Sequence, residues 1–557
     1  MPGRLSGRNC PRTGTCLRAQ VSEVVRRPTF DVGCKGQCDT SRQSRGFPVI
    51  NQGDGMKGLG LLSNTAVLIC LLWLSLFPVA AVAAGGGQAK THPCRVQGMP
   101  YELQCGTVRR PLDPSRPTGP MIDVHFLVVA AMARNKQTDA VLMLAGGPGQ
   151  SAIDAAPALM SRLARLNNRR DLVFIDQRGT GRSAPLHCAD ESRLTVRQSV
   201  DLAQQLERLR QCSEALAKLP YGDMRFFTTT LAMQDFDAVR DQLDVPQWNL
   251  IGASYGTRAA LEYLRQFPQK VRRTVMDGVA PPDMVLPVSS SADGQSALDA
   301  MLKACEVDTN GPTACAKQFP LLRQQWRDLL GGLPSQVSVT HPVTGKLERF
   351  ELTRSDLLRL IRTPLYSPAL TSALPAAIDA ASNGNFSGLA GLSSALGNRK
   401  AIRLAMGMHF AVVCSEDAPR IANAEKAVGE DFGPVEAQMY EGVCAFWPRG
   451  QVAQAFYTVP VTPSPVLVLS GGVDPVTPSR HGTRVAMALG EKAQHIVIPE
   501  AGHGVMGIGC MRDVVYRFIV APTDAAALPQ RADCASEVPR PPVFVPTQIG
   551  TAKGAQS

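Results

Sequence analysis

The chain has 557 residues, of which 19% are charged and 44% are hydrophobic, a mixture that forms packed cores and argues against a disordered polymer or a protein with many membrane spans. The formal net charge is +11, but residues 1–84 alone hold 10 Lys and Arg against 4 Asp and Glu. No basic run with interleaved aromatic residues occurs elsewhere, so the sequence predicts no nucleic-acid partner.

The N-terminal region has the order of a secretory signal. Residues 65–84 carry no charge, follow Met56 and Lys57, and end in small residues, as signal peptides do. We predict a signal peptide over residues 56–84, starting near Met56, and a secreted or periplasmic protein with no stable membrane insertion after cleavage. An uncleaved anchor is the alternative, because the stretch is long enough to span a bilayer.

Residues 1–55 precede this signal. They are rich in Arg and lack aliphatic periodicity, so we expect a disordered leader or a mis-assigned start. Their cysteines lack the paired C-x2-C spacing of zinc sites, and we predict no metal. These cysteines are Cys10, Cys16, Cys34 and Cys38.

Strand and helix patterns alternate over residues 85–282, which we predict to be the first part of an α/β core. Such alternation is typical of a mostly parallel sheet with helices on both faces. The predicted strands are 140–145, 171–176, 248–252 and 273–276, and the predicted helices are 230–243 and 257–267.

A glycine turn, residues 146–149, follows the first of these strands. A backbone N–H can bind an oxyanion only where no side chain blocks its approach, and two glycines before a rigid proline meet that need. We therefore predict that Gly147 donates to an oxyanion. An ordinary glycine turn is the alternative.

Ser254 lies within Gly-Ala-Ser-Tyr-Gly, residues 252–256, where a predicted strand turns into a predicted helix. Such a sharp turn needs small neighbours and exposes the serine hydroxyl, and the helix start directs free N–H groups at developing negative charge. Ser254 is the predicted nucleophile. The N–H of Tyr255 is the second predicted oxyanion donor.

The pattern changes at residue 283. Residues 283–460 have a Leu- and Ala-rich helical pattern broken by Gly, Pro and Ser, which we interpret as a helical cap, called the insertion. The second part of the core is predicted at 461–520 and an extended tail at 521–557. The second part contains predicted strands at 465–470 and 494–499 and predicted helices at 479–489 and 511–519.

A serine nucleophile needs a base and an orienting acid, and both should follow the serine if the chain has the α/β-hydrolase order of Ser, acid and His. His503 is the predicted base, because it lies in a loop after a strand, whereas His481 and His495 fall within a helix and a strand. Asp474, after the preceding strand, is the predicted acid. Asp277, after the strand that follows the serine, is the alternative.

Ten cysteines follow residue 84, an even number that agrees with export to an oxidising compartment. Sequence alone cannot fix their connectivity. Pairing each cysteine with its neighbour closes the shortest loops and is our hypothesis. The predicted pairs are Cys94 with Cys105, Cys188 with Cys212, Cys305 with Cys315, Cys414 with Cys444, and Cys510 with Cys534.

Five segments together carry a family resemblance: LAGGPGQS at 144–151, DQRGTGRS at 176–183, GASYGTR at 252–258, GVDPVTP at 472–478 and GHG at 502–504. They resemble secreted α/β-hydrolase serine exopeptidases of the proline iminopeptidase and tripeptidyl aminopeptidase type. The resemblance implies an α/β-hydrolase fold with a cap, and a serine aminopeptidase that acts on peptides with a free N-terminus and needs no cofactor.

In that family, carboxylates from the cap bind the substrate's α-ammonium group. Glu416 and Asp417 are predicted for this role, because the neighbouring Cys414 would anchor them in a disulfide; a solvated acidic turn is the alternative. Leu144 and Ala145 stand where many proline iminopeptidases have a histidine, which favours the tripeptidyl branch or an uncharacterised relative.

Two other functions remain open. An esterase or lipase could use the same triad and differ only in what the cap admits. A catalytically silent hydrolase fold could serve for binding at the cell surface, although such proteins usually lack a triad member. The sequence does not predict an oligomeric state.

Overall fold

The computed structural model describes residues 90–190, 194–311, 314–397, 403–424 and 428–546. These residues belong to one compact unit, Gly85–Ser557. The predicted signal peptide and the cysteines before it lie outside the described residues. Within the described ranges, no helix is both long and apolar enough to cross a membrane.

A central sheet of nine strands organises the described part of the chain. Within the described residues the strands are β1 (His92–Cys94), β2 (Leu103–Pro111), β3 (Met121–Val129), β4 (Ala140–Leu144), β5 (Leu172–Ile175), β6 (Trp248–Ala253), β7 (Val271–Asp277), β8 (Ser335–Thr340), β9 (Leu347–Leu352), β10 (Val466–Gly471) and β11 (Ala493–Ile498). The sheet order is β1-β2-β3-β5-β4-β6-β7-β10-β11. All neighbours from β5 to β11 pair in parallel, which confirms the predicted, mostly parallel sheet.

The strands at the other edge were not predicted. β2 pairs antiparallel with both β1 and β3, and β3 pairs antiparallel with β5.

The α-helices of the described residues are α1 (Ala152–Asn167), α2 (Val196–Val200), α3 (Leu202–Leu216), α4 (Thr229–Gln242), α5 (Tyr255–Gln266), α6 (Leu286–Val307), α7 (Cys315–Gln318), α8 (Leu322–Gly331), α9 (Arg354–Leu365), α10 (Pro368–Thr371), α11 (Leu374–Ser382), α12 (Ser387–Gly397), α13 (Met406–Glu416), α14 (Val435–Cys444), α15 (Ser479–Leu489), α16 (Met511–Val520) and α17 (Asp524–Ala527).

Helices cover both faces of the sheet, as predicted. Successive side chains of a strand point to opposite faces, so Leu142 of β4 packs in one hydrophobic core while Val141 and Met143 pack in the other. Helices α4, α5 and α15 close the first core, and α1 and α16 close the second. A strand buried on both faces must be apolar throughout, which explains why β4 reads as an unbroken apolar run.

The insertion lies between β7 and β10 and is mainly helical. Its first part has a hydrophobic core of its own, which α2 joins from outside the insertion. Its second part packs on the first core of the sheet through residues such as Phe410, Val412 and Trp447. The insertion also contains an antiparallel hairpin of β8 and β9, which its sequence pattern did not predict.

All ten cysteines beyond residue 84 form disulfides, and the pairs are the predicted ones. The Cys510–Cys534 bond ties the tail to the start of α16, as expected. The tail is not wholly extended, because it contains the short helix α17. The five bonds are Cys94–Cys105, Cys188–Cys212, Cys305–Cys315, Cys414–Cys444 and Cys510–Cys534.

Candidate active site

Ser254 lies at a sharp turn between β6 and α5. Its backbone has φ 55° and ψ −124°, a combination that costs a non-glycine residue energy and that clusters at functional sites. The glycines around it are required by space. A Cβ on Gly252 would lie 2.4 Å from the carbonyl oxygen of Gly256, and a Cβ on Gly256 would lie 2.1 Å from that of Leu144. The predicted turn is therefore present.

His503 and Asp474 meet at the carboxyl ends of β11 and β10. The distance from His503 Nδ1 to Asp474 Oδ2 is 2.8 Å. The other carboxylate oxygen of Asp474 accepts hydrogen bonds from the N–H groups of Val476 and Thr477, each at 2.9 Å. These donors fix the carboxylate in the orientation in which it can hold the imidazole.

The two side chains shift each other's pKa in opposite directions. Burial favours the neutral form of Asp474, but the charge and hydrogen bond of His503 and the backbone donors outweigh it and hold the pKa of Asp474 below its usual value. Burial also favours neutral His503, yet Asp474 raises the pKa of the imidazole above its ordinary 6.5. The pair thus combines an ionised acid with a strengthened base.

Asp277, the alternative acid, has another role. Its carboxylate accepts hydrogen bonds from the N–H groups of Val505 and Met506, both at 2.8 Å, and so anchors the loop after His503. Its carbonyl accepts a bond of 2.9 Å from the Ser254 N–H. The end of β7 therefore holds both the serine turn and the histidine loop, and the geometry favours Asp474 as the partner of the imidazole.

Thr477 is a contact that the sequence analysis missed. Its hydroxyl donates to Asp474 Oδ2 at 2.9 Å and lies 3.2 Å from His503 Nδ1. In the described part of the chain, both hydrogen bonds of the imidazole are made at Nδ1. Nε2 is the nitrogen left for the Ser254 hydroxyl, with which it forms no hydrogen bond here; such contacts commonly tighten only when substrate binds.

The two predicted oxyanion donors belong to the two segments next to Ser254, the glycine turn and the start of α5. The glycine turn packs directly against the serine, because a Cβ on Gly146 would lie 3.3 Å from the Ser254 Cβ. Gly147 has φ 110°, in the region that favours glycine. Tyr255 is the first residue of α5, where an N–H has no partner within the helix. Their use as donors stays a prediction.

The insertion contacts both sides of this arrangement. The Tyr366 carbonyl accepts a hydrogen bond of 2.9 Å from the His503 N–H, and the Tyr366 ring meets the imidazole edge to face at 5.4 Å. His409 joins the Pro148 carbonyl at 3.0 Å and the Tyr440 hydroxyl at 2.9 Å. Burial lowers the pKa of His409 to about 4, so His409 is neutral and supports the glycine turn.

Glu416 and Asp417 lie at the end of α13 and are 1% and 0% exposed. The alternative of a solvated acidic turn is therefore wrong. Both Asp417 oxygens accept from Arg258 Nη1, at 3.0 and 3.1 Å. Glu416 accepts from the N–H and hydroxyl of Thr229, at 2.7 and 3.0 Å. Binding of a substrate ammonium by these two carboxylates stays a prediction.

The chain is similar to several known hydrolases. A family model described as the alpha/beta hydrolase fold matches residues 139–507. Serine protease Hip1 of Mycobacterium tuberculosis (strain H37Rv) is 26% identical over 520 residues, which cover 81% of this chain and 96% of that protein. Tripeptidyl aminopeptidase of Streptomyces coelicolor is 29% identical over 218 residues, which cover 37% of this chain and 40% of that protein. Carboxylesterase B of Mycobacterium tuberculosis (strain CDC 1551) is 26% identical over 415 residues, which cover 70% of this chain and 78% of that protein.

Proposed function

The chain belongs to the alpha/beta hydrolase fold family, and from this premise we propose that it is a serine aminopeptidase. The observation that carries the proposal is the strained turn at Ser254, attached through β7 to the loop of the His503–Asp474 pair. A serine held in this way, beside a base oriented by an acid, is the arrangement that acyl transfer requires.

In the proposed reaction, the Ser254 oxygen attacks the carbonyl carbon of the scissile bond while His503 Nε2 accepts the hydroxyl proton. Asp474 keeps the Nδ1 proton in place and stabilises the imidazolium. The N–H groups of Gly147 and Tyr255 bind the oxyanion. His503 then returns the proton to the leaving amine, and a water molecule hydrolyses the acyl-enzyme by the same relay.

The choice of an aminopeptidase has two supports. The motif set resembles secreted exopeptidases, and the relatives include a tripeptidyl aminopeptidase and a serine protease. The insertion contacts the base and the glycine turn, so it can limit which part of a peptide reaches Ser254. An esterase is the second candidate, because Carboxylesterase B is also similar.

Replacing the nucleophile tests the reaction type. We expect Ser254→Ala to lose turnover of peptidyl anilides and labelling by a fluorophosphonate probe, because the substitution removes the proposed attacking oxygen. Ser382→Ala, an exposed serine of the insertion, should retain both. Undiminished turnover by Ser254→Ala would exclude the assignment, and a folded wild-type protein that ignores the probe would favour a silent binding protein.

Blocking the substrate's amine separates peptidase from esterase. An aminopeptidase should lose most of its kcat/KM when a tripeptidyl anilide is N-acetylated, because the free ammonium group contributes to binding. The measurement is kcat/KM for mono-, di- and tripeptidyl anilides, free and acetylated, beside an ester of the same acyl group. Faster hydrolysis of the ester, with no response to acetylation, would support the esterase instead.

We also propose that the protein is exported. The uncharged segment at 65–84 and the five disulfides support this, because disulfides persist in oxidising compartments. N-terminal sequencing of the protein from its native host should find a chain that starts shortly after Ala84. A full-length chain with reduced cysteines would contradict the proposal.

A further inference from the structure

A chain of buried hydrogen bonds connects the insertion to the residue that follows Ser254. Glu416, at the end of α13, accepts at one oxygen from the Thr229 N–H (2.7 Å) and at the other from the Thr229 hydroxyl (3.0 Å). Thr229 is the first residue of α4, so its N–H is not used within that helix. The carboxylate also lies at the helix end where negative charge is favoured.

The chain continues from Thr229 to Tyr255. The Thr229 and Tyr255 hydroxyls are 2.6 Å apart, and Gln177 Nε2 donates to the Tyr255 hydroxyl at 2.9 Å. Because the Thr229 proton goes to Glu416, the Tyr255 proton must go to Thr229. Every hydroxyl then donates once and accepts once, and the chain runs in one direction from the Gln177 amide to the Glu416 carboxylate.

An ion pair between Asp417 and Arg258 lies next to this chain of hydrogen bonds. Asp417 binds Arg258 through both oxygens, and Arg258 lies on the same face of α5 as Tyr255, because residues three apart are neighbours on a helix. Arg258 Nη2 also donates to the Met284 carbonyl at 2.8 Å. Two successive carboxylates of the insertion therefore hold the first turns of α4 and α5.

We propose that Glu416, acting through Thr229 and the Tyr255 hydroxyl, is a positioning residue that holds the Tyr255 N–H where it binds the oxyanion. The proposal rests on the proposed serine hydrolase function. Tyr255 is 2% exposed, and its ring is fixed at the hydroxyl end by Thr229 and Gln177 and at the backbone end by the serine turn. An oxyanion donor acts only if it is preorganised, and a misplacement of about 1 Å can cost about 10²-fold in rate.

This role differs from ammonium binding in a measurable way. A residue that positions the oxyanion donor affects every acyl substrate, whether or not the substrate has an amine. A carboxylate that binds the ammonium affects only substrates with a free amine, and its loss appears largely in KM. Glu416 and Asp417 already accept hydrogen bonds from Thr229 and Arg258 of the protein itself. Positioning is therefore favoured over binding of a substrate ammonium.

The experiment compares three variants on two substrates. Tyr255→Phe removes the hydroxyl, Thr229→Val removes the next hydroxyl but keeps the N–H, and Glu416→Gln replaces one acceptor oxygen by an amide nitrogen. Each is assayed with a free-amine tripeptidyl anilide and with p-nitrophenyl acetate, which has no amine. We expect kcat to fall by about 10- to 100-fold on both substrates, by the same factor, with KM changed less than about twofold.

A matched control lies on the same helix. Tyr263 is a buried tyrosine of α5 whose hydroxyl donates to Asp237 at 2.8 Å, about two turns beyond Tyr255. Tyr263→Phe makes the same chemical change away from Ser254 and should leave kcat unchanged. The double variant Thr229→Val with Tyr255→Phe should be no slower than the worse single variant, because both break one chain.

Other outcomes would overturn the proposal. A rise in KM confined to the anilide in Glu416→Gln, with Tyr255→Phe unaffected, would assign Glu416 to ammonium binding. A fall in melting temperature with unchanged kcat in all three variants would show a merely structural contact. Tyr255→Phe loses a single oxygen and preserves the test if Glu416→Gln does not fold. Wild-type hydrolysis of the ester but not the anilide would refute the aminopeptidase and leave the ester assay valid for this proposal.

Discussion

At the scale of single residues, the imidazole of His503 is fixed from several directions. Asp474 and Thr477 both contact Nδ1, and the Tyr366 carbonyl holds the backbone N–H. These contacts determine which nitrogen carries the proton and leave Nε2 for the serine. The same carboxylate that orients the ring also raises its pKa, so orientation and basicity have a common cause.

The pH dependence of activity follows from this pair. Neutral His503 is required to accept the Ser254 proton, so kcat/KM should fall as the pH decreases through a pKa above 6.5. Asp474→Asn removes the charge that raises this pKa. We expect its acidic limb to move to lower pH and its kcat to fall by about 10⁴-fold, the loss seen when a triad aspartate becomes asparagine.

The measurement is a pH profile of kcat/KM for both proteins with a peptidyl anilide. Asp299→Asn, at an exposed position of α6, is the control and should keep the wild-type profile. An acidic limb that does not move in Asp474→Asn would assign the ionisation to another group.

The sequence could single out a candidate triad but not the contacts around it. Ser254, Asp474 and His503 were predictable because turn glycines and strand ends mark them locally. Asp277 has the same local setting as Asp474, and only the folded loop reveals that its oxygens are occupied by backbone N–H groups. The burial of Glu416 could not be predicted, because its partner Thr229 is 187 residues away in the chain.

At the scale of elements, the parallel strands were predictable and the antiparallel ones were not. A parallel strand buried on both faces is a continuous apolar run, as in β4 and β10. Antiparallel edge strands have one exposed face and mix polar with apolar residues. In β8, whose sequence is SQVSVT, only Val337 and Val339 are buried. This short alternation of polar and apolar residues is hard to recognise between segments with a helical pattern.

The contact between α5 and β4 gives a test at this scale. Gly256→Ala would place a Cβ 2.1 Å from the Leu144 carbonyl oxygen, which is backbone and cannot move away. We expect the free energy of unfolding to fall by about 1–3 kcal/mol, together with loss of fluorophosphonate labelling as the serine turn shifts.

Gly391→Ala is the matched control, because a Cβ there meets nothing within 4 Å and Gly391 lies inside α12. It should stabilise the protein by about 0.5–1 kcal/mol. Urea denaturation measures both changes. Equal stability of the two variants would contradict the close approach of α5 to β4.

At the scale of the whole molecule, covalent and hydrogen-bonded links hold the insertion, the core and the tail together. Cys510–Cys534 ties the tail to α16. The tail then reaches the insertion, where the Phe544 N–H donates to the Ser372 carbonyl at 2.9 Å. Cys414–Cys444 joins α13 to α14 and so steadies the helix that carries Glu416.

Two disulfides with similar loop lengths separate stability from activity. Cys414–Cys444 spans 30 residues and Cys510–Cys534 spans 24, so replacing either pair by serines should reduce the free energy of unfolding by about 2–4 kcal/mol. Only loss of the first should also lower kcat, because this bond anchors α13, which contacts Thr229 and the glycine turn, whereas the second anchors the tail. Denaturation and kinetics of the purified variants check this, and equal kcat values would refute it.

The contacts of Tyr366 and His409 also bear on how far the insertion can move. The Tyr366 carbonyl holds the backbone of His503, and His409 holds the turn that carries Gly147, the first predicted oxyanion donor. If the insertion moved away as a rigid body, it would break its contacts with His503 and with the glycine turn. We therefore expect both contacts to persist when substrate binds, with the insertion, the His503 loop and the glycine turn moving as one body.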